Sequence, residues 1–387
     1  MKNILIGISA SISAYKTYEL IRKFKKNGFS IKTIITPNAL NFVSPLVIET
    51  LSNEKVYCEQ FSKRSDVEHI ALCDWADVFL IAPIDANCIS KFAQGIADNL
   101  LSSVFCAYLG LKKPIVLAPA MNEGMWNNPF IQKNCELLKT YNCTFSGPAS
   151  GFLACKKEGI GRLEDIDIIY QTTLRELYQD KKNNDKKLIV TLGGTKEPID
   201  TVRFISNSSS GLMGTSLADC AYYLGFEVVA YSSIELNKPY EVINFKTAKD
   251  LLEKLSNEDY DYLIMAAAVG DFCAGDIKDR KISKEDMDET FCLQLQKNPD
   301  VIQSIAKNKK NNQKVIGFCL ADDDLINCAK KKLKNKNLDY IVANDVKTAL
   351  NETQNKVTII DKSGRMIDIE LNSKEKIASS ILEVVCD

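Results

Sequence analysis

The sequence predicts an α/β protein of two domains, each built on a mostly parallel sheet with helices on both faces. Three observations carry that prediction. Short apolar runs alternate with helix-period segments along most of the chain, the pattern that crossover helices produce. Residues 181–187 (KKNNDKK) hold no apolar side chain, and the alternation starts afresh just after them. A length of 387 residues exceeds one ordinary core and suits two. The expected domains are therefore 1–180 and 188–387, with 181–187 as a linker.

In chain order, residues 4–8, 31–35, 78–82, 115–118 and 144–146 read as strands of the first half. Segments 13–26, 85–94, 99–109 and 129–140 read as the helices between them, and a helix around 165–177 leads to the linker. In the second half, 188–192, 227–231, 262–267, 315–318 and 340–343 read as strands, and 212–224 as a helix. Residues 356–361 and 365–371, joined by a turn at Lys362-Ser363-Gly364, form a hairpin before a final helix. The second half does not repeat the first.

Composition narrows the function classes. Hydrophobic residues make up 45% and charged residues 26%, the balance of a globular protein. With 49 basic and 50 acidic side chains the net charge is -1, so no broad basic face is available for nucleic acid. There are 13 cysteines and no C-x-x-C pair. Cys73, Cys88, Cys106, Cys220, Cys292 and Cys319 stand in or beside apolar runs, where a thiol acts as a small hydrophobe. That pattern fits a reducing cytoplasm better than a disulfide scaffold or a zinc site. Lys2 with the apolar run 4–8 imitates a signal peptide, but the run is short and an amphipathic helix follows. No stretch reaches the roughly 18 apolar residues of a membrane span. The expectation is a cytoplasmic protein without a membrane or nucleic-acid partner.

The first strand runs into Gly7-Ile8-Ser9-Ala10-Ser11-Ile12-Ser13 and a helix, where backbone N–H groups and hydroxyls can meet a phosphate. A capped helix accounts for the same residues. A dinucleotide site would ask for G-x-G-x-x-G and an acid closing the second strand. Here that strand ends in Thr36-Pro37-Asn38, which favours a mononucleotide such as a flavin phosphate. His69, the one histidine of the chain, stands just before Trp75-Ala76-Asp77, in what reads as a loop at the sheet edge. Asn122, in Pro119-Ala120-Met121-Asn122, can donate to a carboxylate without adding charge, or simply cap the next helix. Cys155 is flanked by Gly151, Gly159 and Gly161, which suggests a mobile flap, and Lys156 and Lys157 favour its thiolate. A structural thiol is the plainer alternative.

Together with Ala82-Pro83, Asp85-Ala86-Asn87-Cys88, Lys91, Gly95-Ile96-Ala97-Asp98-Asn99-Leu100 and Met125-Trp126, these motifs cover nearly the whole first half. It resembles the flavoprotein family of cysteine decarboxylases that includes phosphopantothenoylcysteine decarboxylase. The resemblance implies a flavodoxin-like, Rossmann-like domain that binds FMN through Ala10, Ser11 and Ile12, Thr36 and Asn38, Asp85 to Cys88, and Ala120. It implies that flavin oxidises the cysteinyl thiol toward a thioaldehyde, whose C=S group absorbs the electrons of the departing carboxylate. By the same carry-over, Asn122 grips that carboxylate, His69 assists at the substrate, and Cys155 returns the proton. Relatives share this site between subunits of a trimer. The chain departs from the pattern in having Ala10 and Ser11 for a glycine pair and Lys156 for a glycine.

In the second half, Gly193-Gly194-Thr195 ends the first strand, and Ser206-Asn207-Ser208-Ser209-Ser210-Gly211 precedes a helix. A hydroxyl-rich turn there suits an anion, or is merely a long Ser-rich loop. Lys332 and Lys336 share a helix face at i, i+4 spacing, usually a sign of solvation only. These residues join Glu197-Pro198-Ile199-Asp200, Arg203, Ala267-Ala268-Val269, Asp271, Lys281, Asn298-Pro299-Asp300, Gly317-Phe318, Asn337-Leu338-Asp339 and Ala343-Asn344-Asp345. This half resembles phosphopantothenate–cysteine ligase, often fused to that decarboxylase. The resemblance implies that CTP and Mg2+ convert phosphopantothenate to an acyl-cytidylate, which cysteine captures. Arg203 and Asn207 would serve cytidylate formation, and Lys281 the cysteine step. Ala267, Asp271, Pro299, Asp300, Val301, Ile302, Phe318, Lys332 and Lys336 would contact CTP. Leu212 stands where the family commonly has lysine, and Ala321 where it has glutamate. The product, phosphopantothenoylcysteine, would feed the first half. Trimers of the first domain joined by dimers of the second, as in a dodecamer, are the implied assembly. Two alternatives remain: a decarboxylase with a structural ligase half, and a non-catalytic FMN-binding regulator.

Overall fold

The computed structural model describes residues 2–60, 68–153, 157–179, 181–283, 292–321, 323–345 and 354–386. Two compact units divide the chain, 1–179 and 180–387.

In the first unit six parallel strands form one sheet in the order β3-β2-β1-β4-β5-β6. They are β1 (Asn3–Ile8), β2 (Ser30–Ile35), β3 (Val56–Tyr57), β4 (Val78–Ile84), β5 (Ile115–Pro119) and β6 (Cys143–Phe145). Without the two-residue β3, the order is that of a flavodoxin-like sheet, and with it that of the dinucleotide-binding sheet. Both reverse between β1 and β4. Every residue of β4 is buried, as expected of a strand covered on both faces.

Helices α1 (Thr17–Lys26), α2 (Pro45–Ser52) and α8 (Ile166–Tyr178) pack on one face. There Phe24 meets Tyr170 with ring centroids 4.9 Å apart. The other face carries α3 (Glu68–Trp75), α4 (Ala86–Ala93), α5 (Leu100–Gly110) and α7 (Pro129–Thr140), while a short α6 (Glu123–Trp126) follows β5. Phe92 of α4 stacks on Phe105 of α5 at 3.9 Å, inside a cluster with Leu5, Ile81 and Leu117 of the sheet. An antiparallel pair, β7 (Ala149–Phe152) and β8 (Glu158–Arg162), stands apart from the main sheet.

Of the expected linker, Lys181–Asn183 form a single helical turn and Lys187 opens the next strand. Asn183 is buried, its carboxamide donating to the Leu224 carbonyl at 3.0 Å, so this stretch is folded onto the second unit despite its polarity.

The second unit has β9 (Lys187–Leu192), a two-stranded ribbon of β10 (Lys196–Pro198) and β11 (Phe204–Ser206), α9 (Leu212–Tyr223), β12 (Glu227–Ser232), β13 (Glu241–Asn244) and α10 (Ala248–Leu255). Next come β14 (Tyr262–Met265), a ribbon of β15 (Phe272–Ala274) and β16 (Leu295–Lys297), α11 (Val301–Lys307), β17 (Lys314–Ala321), α12 (Leu325–Asn335) and β18 (Tyr340–Asp345). The hairpin β19 (Gln354–Asp361) and β20 (Met366–Ser373) precedes α13 (Lys374–Cys386). The main sheet runs β13-β12-β9-β14-β17-β18-β19-β20, and only its β18–β19 and β19–β20 pairs are antiparallel. Helices α9 and α13 cover one face, and α10, α11 and α12 the other.

Two sequence expectations change. Cys73, Cys88, Cys220 and Cys319 are buried, but Cys106 and Cys292 are exposed, because apolar neighbours in sequence do not fix which way a side chain faces. The loop expected around His69 is the first turn of α3.

Candidate active sites

The first site grows from the sheet edge where β1, β2, β4 and β5 end, the position at which open α/β sheets take ligands. After β1, Ser11 caps a 3-10 turn, Ile12–Lys16, and its Oγ lies 3.0 Å from the Ser13 hydroxyl. That turn and the one after β2, Pro37–Asn41, hold no acidic residue, and Thr36 precedes the latter with no side-chain capping bond. Hydroxyls and open N–H groups with no carboxylate between them match a phosphate monoester, so the donor set fits FMN. Ser9, part of the hydroxyl-rich run read from the sequence, is fully buried and holds β1 to β4 by accepting from Asp85 N at 2.7 Å. Asp85 in turn caps α4 by accepting from Cys88 N at 2.7 Å. Burial, followed by Asp85, pushes the Cys88 thiol far up, so it packs rather than reacts. Ala10 and Ala86 line the same turns, and Ile12, Asn38 and Asn87 are exposed there.

Ala120 continues this edge, its N–H donating to Ile84 O at 3.1 Å. Asn122 caps α6, with Oδ1 accepting from Gly124 N at 2.9 Å, and its side chain is exposed. The capping reading therefore holds for Oδ1, which fixes the side chain at the ligand edge. Strand β8 seats directly on this loop. Met121 N donates to Gly161 O at 2.9 Å, and a Cβ on Gly161 would lie 2.2 Å from Met121 O. Cys155 lies outside the described residues, between the β7–β8 pair that brackets it. His69 is half-buried in the first turn of α3, which runs back toward the start of β4 and so begins at the level of the ligand edge.

The second unit holds a cavity of about 790 Å3 at the corresponding edge of its sheet. Asn207, Ala267, Asp271, Phe318, Lys332 and Lys336 line it, as do Pro299, Asp300, Val301 and Ile302. Residues 208–214, the turn into α9, form another wall. Gly193, at φ +83°, turns the chain after β9 where a Cβ would meet Ser233 Oγ at 2.1 Å. Asn207 Nδ2 donates to Val269 O at 3.1 Å, fastening the Ser-rich loop to the loop that follows β14.

The two lysines are positioned differently. Lys336 pairs with Asp300 at 2.7 Å, whereas Lys332 Nζ donates to Phe318 O at 2.7 Å. Burial, then Lys336, pushes the Lys332 ammonium below the ordinary lysine range, against the pull of Cys319, Asp300 and Asp271. Such a cation gains when an anion arrives.

Arg203 and Lys281 do not line this cavity. Buried Asp200 gathers them instead, accepting from Val202 N, Arg203 N and Ile282 N at 2.8, 2.7 and 3.1 Å. Arg203 reaches Asp200 at 3.2 Å and Ile282 O at 3.1 Å, while Lys281 next door is exposed. Burial raises the Asp200 carboxyl, but its four donors outweigh that and hold it below the usual carboxylate range. Asn344 and Lys374 also line the cavity, and neither was assigned a role from sequence. Asn344 was visible in its motif, but nothing local marks Lys374, which reads as an ordinary helix start. Among the described residues no group of three or more His, Cys, Asp or Glu could hold a metal.

Comparison with known proteins places both units. Residues 1–178 match the Flavoprotein family model, and residues 183–387 match the DNA/pantothenate metabolism flavoprotein C-terminal domain. The coenzyme A biosynthesis bifunctional protein CoaBC of Borreliella burgdorferi is 39% identical over 99% of this chain and 99% of its own. That of Bacillus subtilis is 35% identical over 99% and 96%. A solved C-terminal domain of such a protein has 31% identity and a TM-score of 0.46, covering 53% of this chain and 96% of its own. The chain belongs to the coenzyme A biosynthesis bifunctional proteins, flavoprotein enzymes that combine a decarboxylase and a ligase activity.

Proposed function

We propose that the second unit joins phosphopantothenate to cysteine at the expense of CTP, which acts with Mg2+ and leaves as CMP and pyrophosphate, and that the first unit decarboxylates the resulting phosphopantothenoylcysteine with FMN. The observation that carries this reading is the single cavity lined by the residues expected to contact CTP. Lys332, Lys336 and the turn into α9 are suited to neutralise a triphosphate, and Asp271 to face the ribose or a phosphate-bound magnesium ion. Arg203, paired with Asp200, and Lys281, next to the Ile282 whose N–H Asp200 accepts, supply cations for the carboxylate undergoing activation and for the cysteine step. Asn207, clamped through Val269, orients the phosphopantothenate carboxylate.

At the first site, FMN when bound supplies two-electron redox chemistry at the substrate thiol. The residues of the chain do the rest. The turns 10–12, 36–38 and 85–88 hold the phosphate and ring, and Ala120 closes the edge. Asn122 donates through Nδ2 to the substrate carboxylate, which fixes the bond to be broken without adding a charge that would oppose CO2 loss. His69 contributes a donor at the substrate, and Cys155, carried between β7 and β8, returns a proton to carbon.

Exposed apolar side chains support an oligomer: Val202, Phe204, Phe272 and Leu295 on the two ribbons of the second unit, and Leu46 and Phe130 on the first. The proposed assembly has trimeric first domains and dimeric second domains. Among the described residues no helix is long and apolar enough to cross a membrane, and a cytoplasmic setting suits the cysteine usage.

Single substitutions separate the two halves. Asn207→Ala is expected to abolish CTP-dependent condensation while phosphopantothenoylcysteine is still decarboxylated, and Asn122→Ala to do the reverse with FMN retained. Loss of both activities in either variant would contradict the division of labour.

A further inference from the structure

The hairpin that closes the second sheet does more than cover an edge. Strand β18 is parallel to its neighbour β17, and β19 and β20 reverse direction in turn, so α13 begins at the same sheet edge as α9. The two helices then run side by side, with Leu217 and Ala221 of one and Ile377 and Ile381 of the other in a common core. Lys374, the first residue of α13, is thereby brought to the cavity wall that includes residues 208–214. It is only 7% exposed, an unusual burial for a lysine on a surface helix. Leu212 occupies the first position of α9 and lines the cavity without charge.

A second observation on the same cavity points to a ligand. Asn344, at the end of β18, is 8% exposed, and its Oδ1 is buried without a hydrogen-bond partner. A buried acceptor left unmade in this way is costly, unless a bound molecule supplies the donor.

We propose that Lys374 is a further ligand-binding residue of this cavity, its ammonium countering a phosphate group held at the N-terminus of α9, while Asn344 accepts a hydrogen bond from the bound molecule. The inference rests on the reading of the cavity as the site of CTP and phosphopantothenate. Either the nucleotide triphosphate or the phosphate ester of phosphopantothenate presents the required group.

The test compares Lys374→Gln, Lys374→Met and Lys374→Arg in the full-length protein, measuring KM for CTP and for phosphopantothenate separately, with thermal unfolding as the folding control. The neutral variants are expected to raise one of these values about tenfold or more. Arginine should restore most of the loss. A rise for CTP alone identifies the nucleotide as the source, and a rise for phosphopantothenate alone identifies the ester. The salt dependence of the affected KM should flatten in the neutral variants, which a purely structural lysine would not cause. Unchanged KM values for both ligands, no rescue by arginine, or failure of both neutral variants to fold would overturn the proposal. Lys332→Met is the internal control. If it too leaves both KM values unchanged, the reading of the cavity has failed rather than the role of Lys374.

Discussion

At the scale of single residues, the two sites are built by close approach and by charge placed under cover. Gly161 illustrates the first. It adopts φ +148°, and a methyl group there would lie 2.2 Å from the Met121 carbonyl oxygen that borders Asn122. Gly161→Ala is expected to cost on the order of 1–3 kcal/mol and to push β8 off the β5–α6 loop. Decarboxylation should fall at least about tenfold, with condensation intact, in assays of each half-reaction. Lys332 illustrates the second. Burial and Lys336 hold its folded pKa below 10.5, so keeping it charged costs stability at neutral pH. That cost fades as pH rises through the depressed value. A bound triphosphate favours the ammonium, so CTP affinity should fall through this alkaline window and binding should take up protons. Calorimetry in two buffers of different ionisation enthalpy would show it. Equal heats in both buffers would dismiss Lys332 as the titrating contact. Residues of this kind were only half legible in the sequence. Lys332 could be paired with Lys336 by spacing, but its burial depends on β17, and nothing near Lys374 hints at a cavity.

At the scale of elements, turn chemistry and apolar period carried the reading, and they failed where elements were short. The strands 4–8, 31–35 and 188–192 fell within one residue of β1, β2 and β9 because continuous apolar runs of that length suit buried parallel strands. Helices α2, α3, α10 and α11 went unread. Each has seven or eight residues, too few turns for a period to emerge. The stretch 68–75 is apolar on several sides, and that is why His69 was expected in a loop. Caps were more dependable. Asp85 holds the first turn of α4, and Asp85→Ala should cost about 1 kcal/mol. For a domain of this size that corresponds to roughly 2–4 °C in Tm. Because the same turn borders the flavin edge, the variant should also retain less FMN through gel filtration. A variant that keeps both its Tm and its yellow colour would remove Asp85 from the account.

At the scale of the whole molecule, the chain holds two sheets of related design, each reversing its strand order beside its first strand and each presenting chemistry at that edge. The first offers hydroxyls, N–H groups and carboxamides, suited to a flavin phosphate and a carboxylate. The second offers lysines and a helix terminus around a cavity of about 790 Å3, suited to a larger anion. Fold class was readable because it follows from local pattern, and the proposed sites were drawn from the rule that parallel sheets bind at their C-terminal edge. The path of the linker was not readable, since a polar run shows no sign that Asn183 will be buried against Leu224. In the proposed function one chain performs consecutive reactions, with the later step encoded first. Its most direct test is to incubate the purified protein with phosphopantothenate, cysteine, CTP and Mg2+ and to follow the products by mass spectrometry. Phosphopantetheine, CO2 and CMP are expected in equal amounts. Accumulation of phosphopantothenoylcysteine without decarboxylation, or no product at all from a yellow, folded protein, would contradict it.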